Sequence, residues 1–193
     1  MTQDPRTDVT QLLGRVKNGE TEAEEELLPL VYGELYRIAQ AQMRDQPAQH
    51  TLGATALVHE AYLRMVGGAG ASEGWESRRH FLRVAAKAMR STLVDHARKK
   101  RSAKRGGDWK PTPLDELCAQ YEDRSVDLVA LGEALERLAV EDEQLARIVD
   151  LRFFCGLENS RIAEVLGCSS RTVERGWSTA RSWLSLALGD DTE

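Results

Sequence analysis

The stretch of this sequence that decides the fold is ENSRIAEVLGCSSRTVERGWSTARSWL, residues 158–184. Its first part predicts a short helix whose apolar side holds Leu157, Ile162, Ala163 and Leu166. Gly167 then predicts a tight turn with Cys168, because glycine tolerates the positive φ that ends a helix. Ser169 or Ser170 is suited to cap a second helix after the turn.

The second helix of this pair has two contrasting sides. Its predicted buried side recurs at helical spacing and holds Val173, Trp177, Ala180 and Leu184. Its opposite side is polar and basic, and with the turn it holds Ser169, Ser170, Arg171, Thr172, Glu174, Arg175, Ser178 and Arg181. Such a pair is typical of a DNA-reading helix-turn-helix, and the alternative is an ordinary helical hairpin. Gly176 is unusual there, because a mid-helix glycine costs about 1 kcal/mol relative to alanine.

The remainder of the chain also predicts helices, and no stretch alternates with the period of a strand. A helix over Val9–Lys17 precedes one through Leu27, Val31, Leu35 and Ile38, which Pro29 weakens. A third helix is predicted from the apolar stripe of Ala54, Leu57, Val58, Ala61, Tyr62 and Met65. Two more are predicted around residues 128–138 and 142–154. The fold class is therefore all-α.

Charge is distributed very unevenly along the chain. The net charge of the whole chain is −5. Residues 78–105 carry 11 basic side chains and 1 acidic side chain, whereas residues 106–145 carry 3 basic and 11 acidic side chains. On a helix over 78–101, an apolar face holds Phe81, Leu82, Ala85, Ala88, Met89 and Leu93. The opposite face holds Arg83, Lys87, Arg90, Arg98 and Arg101.

An ordinary solvated face of a helix mixes acidic and basic side chains, whereas residues 78–105 contain one acid, Asp95. The basic face is therefore predicted to contact phosphates. The opposite charges of the two blocks can also pair with each other and mask the basic face. Whether they do so in the free protein stays open from the sequence. The acidic balance of the whole chain predicts weak binding to free DNA.

Patterns for catalysis, metal or membrane insertion are absent from the sequence. The cysteines, Cys118, Cys155 and Cys168, match no zinc spacing and predict reduced thiols of a cytoplasmic protein. The histidines form no metal-ligand pair, and they are His50, His59, His80 and His96. No apolar run has the length of a membrane span, and the N-terminus lacks the pattern of a signal peptide. We expect no catalytic residue, metal or cofactor.

The composition changes after the basic block. Residues 102–126 contain Gly106-Gly107, Pro111 and Pro113 without a sustained apolar period, which predicts a flexible linker. The sequence thus predicts two small helical domains, residues 8–101 and 127–187, of which the second is a helix-turn-helix domain.

Three stretches resemble the extracytoplasmic-function (ECF) group of bacterial sigma-70 factors, which bring RNA polymerase to promoters. They are ALVHEAYLRM (56–65), WESRRHFLRVAAKAMRSTLVDHARKKRSAKRGG (75–107) and IVDLRFFCGLENSRIAEVLGCSSRTVERGWSTARSWL (148–184). Their order and separation are similar to those of the family's two domains, and the resemblance covers about residues 8–187.

The resemblance implies roles for three sets of residues. The polymerase set would bind the β′ clamp and holds Leu57, His59, Glu60, Tyr62, Leu63 and Arg64. The −10 set would recognise and open the −10 element and holds Arg79, His80, Phe81, Arg83, Lys87, Arg90, Ser91, Asp95, Arg98 and Lys99. The −35 set would read the −35 element and consists of the polar side described above: Ser169, Ser170, Arg171, Thr172, Glu174, Arg175, Ser178 and Arg181.

The function implied is that of a promoter-specificity subunit and not of an enzyme. Its partners would be core RNA polymerase, through the β′ clamp and β, and promoter DNA. Many relatives also have an anti-sigma factor as a partner. The alternative is a stand-alone helix-turn-helix transcription regulator, which would explain residues 127–187 but leaves residues 54–101 without a role.

Overall fold

A computed structural model describes residues 9, 11–12, 14–15, 18, 20–42, 51–67, 77–106, 114 and 126–189. In that part of the chain all regular elements are helical, which confirms the all-α class. The helices are α1 (Thr21–Gln42), α2 (Thr51–Gly67), α3 (Arg78–Gly106), α4 (Leu128–Glu141), α5 (Glu143–Val149), α6 (Asn159–Leu166) and α7 (Ser170–Gly189). A π-helical turn, Asp150–Phe154, continues α5.

The N-terminal helices, α1–α3, pack in sequence order because each carries an apolar stripe. α2 lies against both α1 and α3. The stripe predicted for α1 is buried, and the helix continues through Pro29, which lies on its exposed side. Tyr32 of α1 and Tyr62 of α2 meet edge to face, with ring centroids 6.5 Å apart. The described residues of the first predicted helix, 9, 11, 12, 14 and 15, are helical as expected.

The C-terminal helices, α4–α7, begin with well-formed caps. The Asp127 carboxylate accepts hydrogen bonds from the amides of Val129 and Ala130, which starts α4. The Asp142 carboxylate accepts from the amide of Leu145 at 3.0 Å and starts α5 in the same way. α7 then packs across α4, α5 and α6, so it is held along most of its buried side.

Gly176 has a packing role in α7. A Cβ atom at this position would lie 2.5 Å from Cδ1 of Ile148 and 3.3 Å from Cδ2 of Leu145, both on α5. The glycine therefore permits a close approach between α7 and α5, which offsets its low helix propensity.

The N-terminal and C-terminal helices share one continuous apolar core. α3 lies at its centre, with α2 on one side and α4, the π turn and α6 on the other. The sequence predicts two small separate cores, so this continuity is a departure from that expectation. It arises because α3 has two buried faces, as the exposures of Met89 and Val94, 0% and 5%, illustrate.

The predicted linker begins too early. Residues 102–106 belong to α3, because the segment up to Gly106-Gly107 contains no residue that breaks a helix. Leu114 is buried, and Val126 and Asp127 lead into α4. The rest of the predicted linker lies outside the described residues.

Candidate nucleic-acid interface

α6 and α7 are joined by a short turn with a defined hydrogen-bond pattern. Gly167 adopts φ 68°, and its amide and that of Cys168 both donate to the carbonyl of Ala163. The Ser169 hydroxyl accepts from the amide of Thr172 at 3.0 Å and lies 2.8 Å from the Thr172 hydroxyl. Ser169 is thus the residue that caps α7, which decides between the two predicted serines. α6, the turn at residues 167–169 and α7 thus follow one another in the order that the sequence predicts.

The buried side of α7 is as predicted: Val173, Ala180 and Leu184 are buried and Trp177 is half-buried. The Arg152 guanidinium lies 4.7 Å from the centroid of the Trp177 ring. It also donates to Oδ1 of Asn159 at 2.6 Å, so Arg152 ties α7 to the start of α6. Trp183 donates from Nε1 to the Glu141 carboxylate at 2.9 Å and fixes α7 to the end of α4. The sequence analysis missed both contacts.

The outward side of α7 and its turn carries the whole −35 set. Each of its members is exposed: Ser169, Ser170, Arg171, Thr172, Glu174, Arg175, Ser178 and Arg181. Among the described residues, the arginines of this surface form no ion pair, so their guanidinium donors are open to a ligand. A helix with a rigid buried side and an outward row of such donors has the chemistry to bind base edges and phosphates.

The members of the −10 set all lie on α3 but differ in exposure. Arg79, Lys87 and Lys99 are exposed, and the half-buried members are His80, Arg83, Ser91, Asp95 and Arg98. Phe81 and Arg90 are buried, with exposures of 1% and 6%. Their predicted contact with DNA stays a prediction. Phe81 belongs to the apolar face that packs into the core, and Arg90 faces the C-terminal helices.

Four of the six members of the polymerase set lie on the outer side of α2. His59, Glu60, Leu63 and Arg64 are exposed, and Leu63 keeps 49% of its surface accessible although it is apolar. Tyr62 is half-buried against Tyr32. Leu57 is buried in the core, and its predicted contact with a partner stays a prediction. Arg64 pairs with Asp95 of α3 at 2.7 Å, which joins the polymerase set to the −10 set.

Arg90 is paired with a carboxylate that the sequence analysis did not single out, Asp150 of the π turn. Its Nε lies 3.4 Å from Oδ1 of Asp150, and the side chains are 7% and 9% exposed. Burial raises the pKa of Asp150 to about 6, against the opposing effects of Arg90 and Lys87. Burial, reinforced by the Asp150 charge, also raises the pKa of the Cys155 thiol, which makes it unreactive.

The described residues were also compared with the requirements of a metal site, a membrane span and a disulfide. No three His, Cys, Asp or Glu side chains there come together to hold a metal ion. No described helix is long and apolar enough to cross a membrane. Cys155 and Cys168 are free thiols.

A protein-family model described as ECF sigma factor matches residues 6–190, nearly the whole chain. No curated protein and no solved structure matches this chain.

Proposed function

Because the chain belongs to the ECF sigma factor family and therefore acts in transcription initiation, we propose that it binds core RNA polymerase and directs it to promoters by reading −35 and −10 elements. The observation that carries this proposal is the outward side of α7, whose arginine donors are exposed and form no ion pair with any other residue that the structure describes. Polymerase performs the chemistry, and this protein selects where it begins.

Each part of the chain has a proposed role. Residues 127–187 read the −35 duplex through the major groove, with Arg171 and Arg175 donating to guanine and Glu174 accepting from cytosine. Residues 8–101 bind the polymerase and hold the −10 region, where the basic residues of α3 contact phosphates. Residues 102–126 connect the two. An anti-sigma factor is a further proposed partner.

DNA binding with and without polymerase tests this proposal against a stand-alone regulator. We expect weak, nonspecific binding of a promoter fragment by the protein alone and a specific complex once core polymerase is added. Tight, sequence-specific binding in the absence of polymerase, unchanged by its addition, would favour the regulator.

Arg175→Ala should reduce promoter selectivity at a single position. Loss of a bidentate contact to guanine costs about 1–3 kcal/mol at one −35 base pair. Competition binding of the polymerase complex to promoters that vary one base pair at a time measures this. Arg137→Ala removes the same charge from an exposed site on α4 and serves as the control. A uniform loss across all promoters would show that Arg175 contacts only phosphate.

Glu60→Lys should weaken binding to core polymerase by about tenfold or more, because reversing a charge inside an interface costs at least about 1.4 kcal/mol. The free energy of unfolding should change by less than about 0.5 kcal/mol, since Glu60 is exposed on α2. The matched control is Glu25→Lys, the same reversal at an exposed site on α1. Equal affinity of both variants for polymerase would refute this role for α2.

A further inference from the structure

A cavity of about 240 Å³ lies between the start of α3 and α6. We call it the arginine pocket, and its polar lining consists of Ser77, Arg78, Arg79, Arg161 and Glu164. The other side chains of the lining are apolar. The volume lies below the range of about 300–1,000 Å³ that is usual for pockets that bind drug-sized molecules, so the pocket suits a smaller ligand. Because its lining holds more cations than anions, that ligand should be negatively charged.

Two of the arginines are held in place by a carboxylate of α1. Nη2 of Arg78 lies 2.5 Å from Oε1 of Glu34, and Nη2 of Arg161 lies 3.9 Å from the same oxygen. These three side chains are only 14%, 13% and 23% exposed, in the order Arg78, Glu34 and Arg161. Arg161 also pairs with Glu164 of α6. A guanidinium has five N–H donors, so both arginines are fixed in position and keep donors that these carboxylates do not use.

The charges around the arginine pocket do not balance. Its three arginines lie with two carboxylates, those of Glu34 and Glu164, so one positive charge is in excess. The first turn of α3 adds to this excess, because the amides at a helix N-terminus carry a partial positive charge. A cation that is partly removed from water attracts an anion more strongly than one on the open surface, since water and salt screen it less.

Arg79 supplies the charge that no carboxylate compensates. It is exposed and forms no ion pair with any other residue that the structure describes. A Cβ atom on Gly167 would lie 3.7 Å from Nη1 of Arg79, so this side chain extends from α3 to the end of α6. Its guanidinium therefore lies in the lining of the pocket with its donors available to a ligand.

We propose that the arginine pocket binds a small phosphate-bearing anion, which Arg79 and Arg161 hold from the two helices. A planar guanidinium binds two oxygens of one phosphate through parallel N–H···O bonds, which favours phosphate over a monatomic anion such as chloride. Arg78 adds a further positive charge beside the anion. Because the anion binds only the folded chain, it also raises the stability of the protein.

Isothermal titration calorimetry of the whole chain with inorganic diphosphate, at constant ionic strength, tests this site. We expect saturable binding of one anion per chain. Arg79→Gln should weaken this binding by about tenfold or more, because hydrogen bonds between charged groups are lost. Arg79 is exposed, so this variant should fold normally. The matched control is Arg137→Gln, the same change at an exposed site on α4 outside the pocket, which should bind like the unsubstituted protein.

Glu34→Gln is a second variant, and its expected effect has the opposite sign. It keeps the size of the side chain but removes the negative charge that Arg78 and Arg161 share. Diphosphate should therefore bind about tenfold more tightly, since a charge that repels it is gone. If these ion pairs served only to hold α1 in place, the variant would lose stability without any gain in affinity.

A nucleoside diphosphate, titrated in the same way, distinguishes the two sources of a phosphate group. Affinity equal to or below that of inorganic diphosphate assigns the pocket to a free anion, whereas higher affinity assigns it to a nucleotide, and both results support the inference. Uptake of diphosphate that does not saturate would overturn it, and so would equal affinity of the Arg79→Gln and Arg137→Gln chains. Because the measurement uses the protein alone, its result does not depend on the proposed function.

Discussion

Phe154→Ala should lower the free energy of unfolding by about 3–5 kcal/mol, the range for deleting a fully buried aromatic ring. Phe154 is 0% exposed and lies in the π turn, which packs against α3, α5 and α6. Its ring meets that of Phe153 edge to face at 5.0 Å. Removing it leaves a cavity at the point where the N-terminal and C-terminal helices share their core. Urea unfolding followed by circular dichroism measures the loss.

Leu186→Ala is the control for this prediction. Leu186 is 71% exposed near the end of α7, so its truncation should change stability by less than about 0.5 kcal/mol. If Phe154→Ala lost less than about 1 kcal/mol, the continuous core around the π turn would be contradicted.

Asp150→Asn should remove a pH dependence that the unsubstituted protein shows between pH 7 and 4.5. The pKa of Asp150 rises from 3.8 to about 6 on folding, so the folded state takes up a proton at a higher pH than the unfolded state does. Its contribution to stability is fully present below 3.8 and is lost as the pH rises through 6. The complete shift corresponds to about 3 kcal/mol, of which about 2 kcal/mol falls between pH 7 and 4.5.

The charged groups that act on Asp150 are Arg90 and Lys87 on α3, and the neutral thiol of Cys155 lies after the π turn. The asparagine side chain keeps an oxygen that can accept a hydrogen bond from Arg90, but its amide does not titrate. Other titrating groups act equally in both proteins, so the difference between the two isolates Asp150. Measured by urea unfolding at the two pH values, the stability of the unsubstituted protein relative to the variant should rise as the pH falls. A constant difference would contradict the burial of this carboxyl.

The helices were predictable from the sequence because their apolar residues repeat with the helical period. The stripes of α1, α2 and α4 and the buried side of α7 pack as that spacing predicts. The turn at Gly167 was equally clear, since few residues accept its φ. The end of α3 was missed because residues 102–105 lack an apolar period although nothing in them breaks a helix.

The contact between the two groups of helices was not predictable from local patterns. Arg90 has the spacing of a solvent-facing basic residue, and whether another helix covers it depends on contacts distant in sequence. Two signals were available. Asp150 is an acid between the apolar residues Val149 and Leu151, which indicates a buried carboxylate with a cationic partner. The opposite charges of residues 78–105 and 106–145 indicate where that partner lies.

Run-off transcription with purified core RNA polymerase from the protein's own organism tests the central claim most directly. We expect transcripts that start at defined positions only when this protein is present, from promoters that share a −35 and a −10 element. The −35 base pair read by Arg175 should be among the shared positions. An absence of promoter-dependent transcripts, together with specific DNA binding by the protein alone, would contradict the claim that it is a promoter-specificity subunit.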